Sequence, residues 1–396
     1  MDPSDFAHVL ASVREFVREQ VVPREDEIEE ADEVPESLRE ACKAMGLYGF
    51  AIPESYGGIG LSMGEEVELA MELGWTTPSL RSLFGTNNGI AGQVLLTGGT
   101  EEQRQEWLPR LATGEVVASF ALTEPDAGSD PSSLTTKAVR DGESWVLSGT
   151  KRWITNAPLA DVLMVFARTR GGRDDDTVAP ARGISTFLVP TSSAGVSFSA
   201  HDAKMGQRGS WTCEVYLDDV RVPAANLVGG ESHEEGRGGL HRGYVTAMRC
   251  LAHGRLHIAA LCMGMAARLV HETVEFASER EQGGHRIATY QLVQALVADS
   301  VTDWHAGRAL VREAARAYDD GSDKVTGPST AKYFCSEAVG RIADRAVQVH
   351  GGSGYMRGVP VERIYRDVRL FRIYEGTSQI QQVIIARGAL GKAARG

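Results

Sequence analysis

The chain is poor in cysteine, in positive charge and in long apolar runs. Its five cysteines, Cys42, Cys213, Cys250, Cys262 and Cys335, are scattered through 396 residues with no CxxC pair. An odd, unclustered set argues against a disulfide framework or a zinc site and for free thiols in a reducing compartment. Acidic residues outnumber basic ones, 53 to 41, for a net charge of -12. Nucleic acid is bound through clustered Lys and Arg, so it is not the expected partner. No apolar run approaches the roughly 18–20 residues of a membrane span. The opening MDPSDFAHVL lacks a basic stretch followed by an apolar one, so no signal peptide is expected and the protein is expected to be cytoplasmic.

Several chemistries also lack their motifs. Gly57-Gly58-Ile59-Gly60 follows no strand-like run and lacks GxGxxG spacing, so it is no dinucleotide fingerprint. No Ser or Cys stands in a nucleophile-elbow context. His253 and His257 are four apart on a helix, but no third ligand at a recognisable spacing joins them. A core or surface pair is expected there, and no metal. Strand-like and helix-like runs do not alternate, which excludes a doubly wound fold.

Three regions of different character remain. Residues 1–119 read as an all-α domain. In it, residues 46–62 (GLYGFAIPESYGGIGLS) form an apolar loop, Asn87 and Asn88 lie in a buried helix, and Thr100 to Gln103 form a capping box. Residues 120–230 carry short runs such as WVLSGTKRWITN, DVLMVFARTR and CEVYLDDVRVP, bounded by turn residues, and read as a β-sandwich or barrel. Within this part 170–183 is expected to be a surface loop, and 229–239 a linker after it. Residues 231–396 return to helical spacing. A long amphipathic helix is expected to stop at Gly283-Gly284, and another at Gly351-Gly352. The fold class is therefore α+β and multidomain.

Two stretches carry candidate chemistry. In residues 370–387 (LFRIYEGTSQIQQVIIAR) a single carboxylate, Glu375, stands between a Tyr and a Gly. Ser378 and Gln381 have capping-box spacing, which predicts a helix from about Ser378 and puts Glu375 in the turn before it. Such an acid is either a helix-end charge or a general base at the mouth of a site. In the β part, ALTEPDAGSD contains the Gly128-Ser129 turn. With a strand period of two, Trp153 and Thr155 share a face opposite Ile154, an arrangement suited to a planar ring that needs a hydrogen bond.

Taken in order, ALTEPDAGSD, GTKRWITN, KMGQRGSWTCEVYLDDVRVP, QVHGGSGY and IYEGTSQIQ resemble the acyl-CoA dehydrogenase family of flavoproteins across essentially the whole chain. That resemblance implies an N-terminal helical domain, a middle β domain and a C-terminal four-helix bundle, with FAD between the last two. By similarity Phe120, Leu122 and Thr123 line the flavin, and Gly128 and Ser129 approach its phosphates and the CoA ester. Trp153 packs along the isoalloxazine and Thr155 bonds to it. Thr377 and Gln379 approach the dinucleotide. Arg280, Gln291, Gln348, Gly351 and Gly352 reach the FAD of a neighbouring subunit, in what is usually a homotetramer.

The same resemblance makes Glu375 the catalytic base. It would take the α-proton of an acyl-CoA while the β-hydride goes to the flavin, giving a trans-2-enoyl-CoA. The alternative place for a base carries His253-Gly254-Arg255, with no acid. Tyr374, Gly376 and Arg255 would flank the substrate. DPSSLTTKA and WITNAPLAD resemble the glutaryl-CoA dehydrogenase branch, and Arg81 would there hold a distal carboxylate. An acyl-CoA oxidase-like flavoprotein is the other alternative. Slow reoxidation by air would mark electron delivery to an electron-transfer flavoprotein.

Overall fold

The computed structural model describes residues 1–171, 179–231 and 239–393. The parts of the expected loop and linker at 172–178 and 232–238 lie outside the described residues.

Seven helices come first: α1 Pro3–Phe16, α2 Glu25–Ala31, α3 Glu36–Ala44, α4 Met63–Leu73, α5 Pro78–Gly85, α6 Ala91–Gly98 and α7 Glu101–Thr113. Two starts follow directly from sequence. Ser62 with Glu65, and Thr100 with Gln103, form complete capping boxes that satisfy the free N–H groups of α4 and α7. Between α5 and α6 the chain widens into one π turn, Thr86–Ile90, which holds the two buried asparagines. Their amides are fully engaged. Asn87 donates to the carbonyls of Leu111 and Val116 and accepts from the Ala118 N–H at 2.9 Å. Asn88 donates to Leu47 and Phe84 and accepts from Ala51. Burial therefore leaves no unmet polar group here, and the π turn is tied to the first strand.

The middle part is one curled seven-stranded sheet: β1 Ala118–Ala121, β2 Lys137–Asp141, β3 Ser144–Thr155, β4 Val162–Arg168, β5 Ile184–Pro190, β6 Val196–Phe198 and β7 Thr212–Pro223. Strand β4 pairs parallel with β1 and antiparallel with β5, and every one of its residues is buried. That explains its continuous apolar run. Strands β3 and β7 form the long antiparallel pair, with register shifts between Lys151 and Ile154.

The third part is helical. It comprises α8 Gly243–Glu279, the short hairpin β8 Glu281–Gln282 with β9 His285–Arg286, then α9 Gln291–Asp319, α10 Thr326–His350, α11 Pro360–Val368 and α12 Ser378–Ala393. Helix α8 is apolar on nearly all sides because α4, α9 and α10 surround it. By length and composition it could cross a membrane, contrary to the expectation that no segment could, but 89% of its most apolar window is buried inside the protein.

Two further expectations are corrected. Helix α8 ends at Glu279, before Gly283-Gly284. Those glycines turn the β8–β9 hairpin, with φ of 61° and 81°. Helix α12 does begin at Ser378, but its cap is Thr377, whose hydroxyl accepts the Ile380 N–H at 3.3 Å. Ser378 Oγ instead donates to Glu337 at 2.6 Å, and the Gln381 amide reaches back to the carbonyls of Glu375 and Gly376.

Candidate active site

Glu375 sits in a left-handed turn, φ 52° for itself and 89° for Gly376, immediately before α12. Its Oε2 is buried and has no hydrogen-bond partner among the described residues. The space it occupies exists because α8 carries Gly254 there: a Cβ at that position would lie 2.5 Å from Glu375 Oε2 and 3.0 Å from Ile90 Cγ2. The acid-free site on α8 therefore makes room for the acid on the turn.

Three cations surround this carboxylate from three helices: Arg81 on α5, Arg255 on α8 and Lys332 on α10. All three are buried. Arg255 Nε donates to the Glu375 carbonyl at 3.3 Å, and Lys332 Nζ to the Gly376 carbonyl at 2.7 Å. Burial raises the Glu375 carboxyl above the usual carboxylate range, against the opposing pull of Arg81, Lys332, Arg255 and His253. Tyr374, beside it, has its hydroxyl pushed well up by burial.

The histidine pair acquires a third member that spacing along the chain could not reveal. Glu66 of α4 meets both rings, at 3.2 Å from His253 Nε2 and in closer contact with His257 Nε2. The ligand atoms of the three lie within 4.8 Å of one another. Hydrogen-bond direction decides what the cluster does. Arg81 Nη2 lies 3.0 Å from His257 Nδ1, and arginine can only donate. Nδ1 is therefore the acceptor, and Nε2 carries the proton that it gives to Glu66. This leaves His257 no lone pair for a metal. Burial holds His257 down at about 4, so it is neutral. Burial alone would raise Glu66, but the two imidazoles outweigh it and hold it near 2, so it is charged. Arg81 and Glu66 thus form an ion pair relayed through a neutral imidazole.

The expected flavin-lining residues come together on β1 and β3. Ser119 Oγ donates to the Thr155 carbonyl at 2.7 Å, and Arg152 N–H to the Thr123 carbonyl at 2.9 Å. Phe120 packs on Phe166 with ring centres 4.7 Å apart, and Leu122 is buried. Exposure alternates as a strand requires: Trp153 56%, Ile154 2%, Thr155 half-buried. Trp153, however, takes a left-handed φ of 55° within the irregular stretch of β3, so its orientation comes from a bulge and not from simple alternation. Asn156 pins the end of β3 to α5 through the Ser82 carbonyl at 2.7 Å, and so couples this face to the helix that carries Arg81.

Glu124 and Lys151, which sequence reading passed over, form the buried brace of this segment. Lys151 Nζ bonds Glu124 at 2.8 Å and the Leu122 carbonyl at 3.2 Å, while Glu124 accepts the Thr135 and Thr136 N–H groups. Burial would raise Glu124, but Lys151 and these bonds overcome it and hold the carboxyl at about 2. Removing one partner strands the other charge. Glu124→Gln is expected to cost about 3–5 kcal/mol of stability, read as a lower melting temperature. A carboxyl depressed in the folded state stabilises fully above its ordinary value of 4.5, and the effect is lost as pH falls towards 2. The melting gap between wild type and variant should therefore narrow over that window.

Gly128 and Ser129 are exposed, beyond a turn closed by mutual bonds between Glu124 and Ala127. A Cβ at Gly128 would meet nothing within 4 Å. Thr377 and Gln379 flank the start of α12, and Gln379 is exposed. Arg280, Gln291, Gln348, Gly351 and Gly352 do not join Glu375 within this chain. All five are exposed and cluster where the ends of α8 and α10 meet the start of α9. Sixteen residues of α10 separate Gln348 from Lys332, roughly 24 Å of helix.

With this geometry in view, the comparisons decide the family. Family models for the N-terminal, middle and C-terminal domains of acyl-CoA dehydrogenase match residues 4–115, 119–220 and 241–390. The chain belongs to the acyl-CoA dehydrogenase family. It is 38% identical to caffeyl-CoA reductase-Etf complex subunit CarC of Acetobacterium woodii, over 93% of each chain. It is 36% identical to cyclohexane-1-carbonyl-CoA dehydrogenase of Geobacter metallireducens, over 98% of this chain and 97% of the relative. The crystal structure of an acyl-CoA dehydrogenase from Geobacillus kaustophilus superposes with a TM-score of 0.89 at 31% identity, covering 97% of this chain and 98% of that one. The cofactor of acyl-CoA dehydrogenases is FAD. The residues here fit a flavin: an uncovered Trp153 and a half-buried Thr155 on β3, a half-buried Phe120 on the neighbouring β1, and open backbone at Gly128.

Proposed function

We infer that the chain oxidises an acyl-CoA thioester to the trans-2-enoyl-CoA, with Glu375 removing the α-proton. The observation that carries this is the buried, unpartnered Oε2 of Glu375, in a gap kept open by Gly254 and faced by three cations. A carboxylate with its pKa raised by burial is matched to proton abstraction near neutral pH. The α-carbon is acidified when its thioester carbonyl is held by donors, and the Glu375 N–H has no acceptor among the described residues. Loss of the α-proton and of a hydride from the β-carbon leaves the new C=C bond. Bound FAD supplies the acceptor for that hydride. Phe120, Leu122, Thr123, Trp153 and Thr155 would hold its ring, and Gly128, Ser129, Thr377 and Gln379 its remainder.

The exposed cluster of Arg280, Gln291, Gln348, Gly351 and Gly352 supports a cofactor site completed by a second subunit, hence a homotetramer or dimer. The electron acceptor we propose is an electron-transfer flavoprotein, supported by the Etf complex named for the Acetobacterium relative. Some relatives are named as reductases, which is the opposite direction of hydrogen transfer. Here the same carboxylate would return the proton to the α-carbon. The test is anaerobic bleaching of the flavin by acyl-CoA thioesters. A holoprotein that none of a panel of straight, branched, cyclic and aryl-substituted thioesters bleaches contradicts the reading.

A second reading rests on Arg81. It is buried, and no carboxylate lies within ion-pair distance of it among the described residues, Glu66 being reached only through His257. Its charge acts on Glu375. Such a guanidinium suits an acyl chain that ends in a carboxylate. On this reading Arg81→Ala lowers glutaryl-CoA turnover about a hundredfold, as loss of a charged hydrogen-bonded pair does, and butyryl-CoA turnover far less. Equal glutaryl-CoA activity in both proteins rules it out.

A further inference from the structure

Four hydrogen bonds converge on two consecutive carbonyls beside the proposed base. The Glu375 carbonyl accepts from Arg255 Nε at 3.3 Å and Gln381 Nε2 at 3.1 Å. The Gly376 carbonyl accepts from Gln381 Nε2 at 2.9 Å and Lys332 Nζ at 2.7 Å. The donors come from α8, α12 and α10. They hold a turn in which both residues have positive φ, a conformation natural to Gly376 but strained for Glu375. Without them the strained residue would relax and carry its carboxylate away from Gly254.

Lys332 is the unexpected member of this set. Its exposure is 0%, and among the described residues it has no carboxylate within ion-pair distance. A neutral amide suffices to bond a carbonyl, as Gln381 shows. A buried ammonium with no direct counter-ion is costly, so a lysine here points to a use for the charge itself. The groups that face Lys332 are Cys262 and Arg255 from α8, Glu337 of its own helix, and Glu375. Burial pushes the Cys262 thiol far up, so it is neutral. Glu337 is already engaged by Ser378 Oγ at 2.6 Å and by Arg372 at 3.3 Å. Glu375 is the acid left for Lys332 to act on. Glu375 in turn is faced by Arg81 from α5, by Arg255 and His253 from α8, and by Lys332 from α10.

We propose that Lys332 is a positioning residue for this dehydrogenation: it clamps the Glu375–Gly376 turn through the Gly376 carbonyl, and its charge keeps the Glu375 carboxylate ionised near neutral pH. The proposal rests on Glu375 being the base. Burial lowers Lys332 to about 8, which leaves it a cation at pH 7.

The test uses the FAD-loaded protein in four variants, Lys332→Gln, Lys332→Met, Lys332→Arg and Gln381→Met. Two readouts are taken. One is the pH dependence of flavin reduction by butyryl-CoA in an anaerobic stopped-flow. The other is an infrared titration of the carboxyl band that Glu375→Gln removes. Loss of a nearby cation raises a carboxyl pKa. Lys332→Gln and Lys332→Met should therefore move both the acid limb and the infrared midpoint up, by on the order of one pH unit, which is about tenfold in rate below the limb. Lys332→Arg should keep both near wild type. Gln381→Met loosens the turn without removing charge, so it should lower the plateau and leave the limb in place. Met removes the charge with an unbranched side chain of similar length, so the test does not depend on the Gln variant folding. If both charge-removing variants keep the wild-type midpoint, the proposal is overturned and Lys332 is structural only. Failure of the base assignment is a separate result: Glu375→Gln would then reduce its flavin at the wild-type rate, while the infrared titration still reports whether Lys332 sets the Glu375 pKa.

Discussion

Glu375→Gln is expected to bind FAD as the wild type does and to lose flavin reduction by acyl-CoA by roughly 10²–10⁴-fold, the span of a positioned general base. The amide has the shape of the carboxylate, so it fits the gap beside Gly254 without disturbing α8. It cannot accept a proton at neutral pH. The residual rate measures what the surrounding donors and Arg255 achieve alone. The pH profile carries the same information in the wild type. The base must be ionised to work, and burial has raised its pKa, so the rate should fall on the acid side through a midpoint above the ordinary 4.5. Stopped-flow measurement at a series of pH values checks both statements.

Gly254→Ala is expected to separate activity from stability. The added methyl would stand 2.5 Å from Glu375 Oε2. That oxygen is the end of a flexible side chain, so the carboxylate moves, while Ile90 Cγ2, 3.0 Å from the methyl, has only a few tenths of an ångström to give. Alanine is also the better helix former, by about 1 kcal/mol in a helix interior. Melting temperature should hold or rise, while flavin reduction drops about 10²-fold because the base is misplaced by an ångström or so. A variant with lower stability and unchanged rate would show that Gly254 serves packing between α8 and the π turn, and not the carboxylate.

Much of the architecture was legible because it rests on local rules. The capping box from Thr100 to Gln103 is written within four residues of chain, and the structure forms it; the one at Ser62, which closes the expected loop, is of the same kind. The turn before α12 could be read from Thr, Ser and Gln following a Gly, even though the cap fell to Thr377 and Ser378 turned to Glu337. Where spacing misled, backbone geometry took over. Trp153 leaves the strand alternation through a bulge, and Gly283-Gly284 turn a hairpin that a helix pattern could not announce.

Around the turn, the resemblance names Tyr374, Gly376, Arg255 and Arg81 with Glu375, but nothing along the chain names Glu66 or Lys332 as their neighbours. The site's surroundings are assembled from distant chain. Glu66 reaches His257 from 191 residues away, and Lys332 reaches Gly376 from 44. One signal was available. Lys332 shares the buried stripe of α10 with Ser329, Ala331, Cys335 and Val339, and a lysine in such a register asks for a partner. The role of Gly254 left no such trace. What matters there is the absence of a side chain, and its consequence becomes visible only when the opposing acid is in place.

The central proposal is one coupled event, removal of an α-proton by Glu375 as the flavin is reduced. The direct measurement is single-turnover anaerobic flavin reduction by an acyl-CoA and by its α,α-dideuterated form, in wild type and in Glu375→Gln. Deuterium is expected to slow the wild type several-fold, and the variant is expected to stay oxidised on the same time scale. Reduction of Glu375→Gln at the wild-type rate, or a wild-type rate indifferent to deuterium, would contradict it.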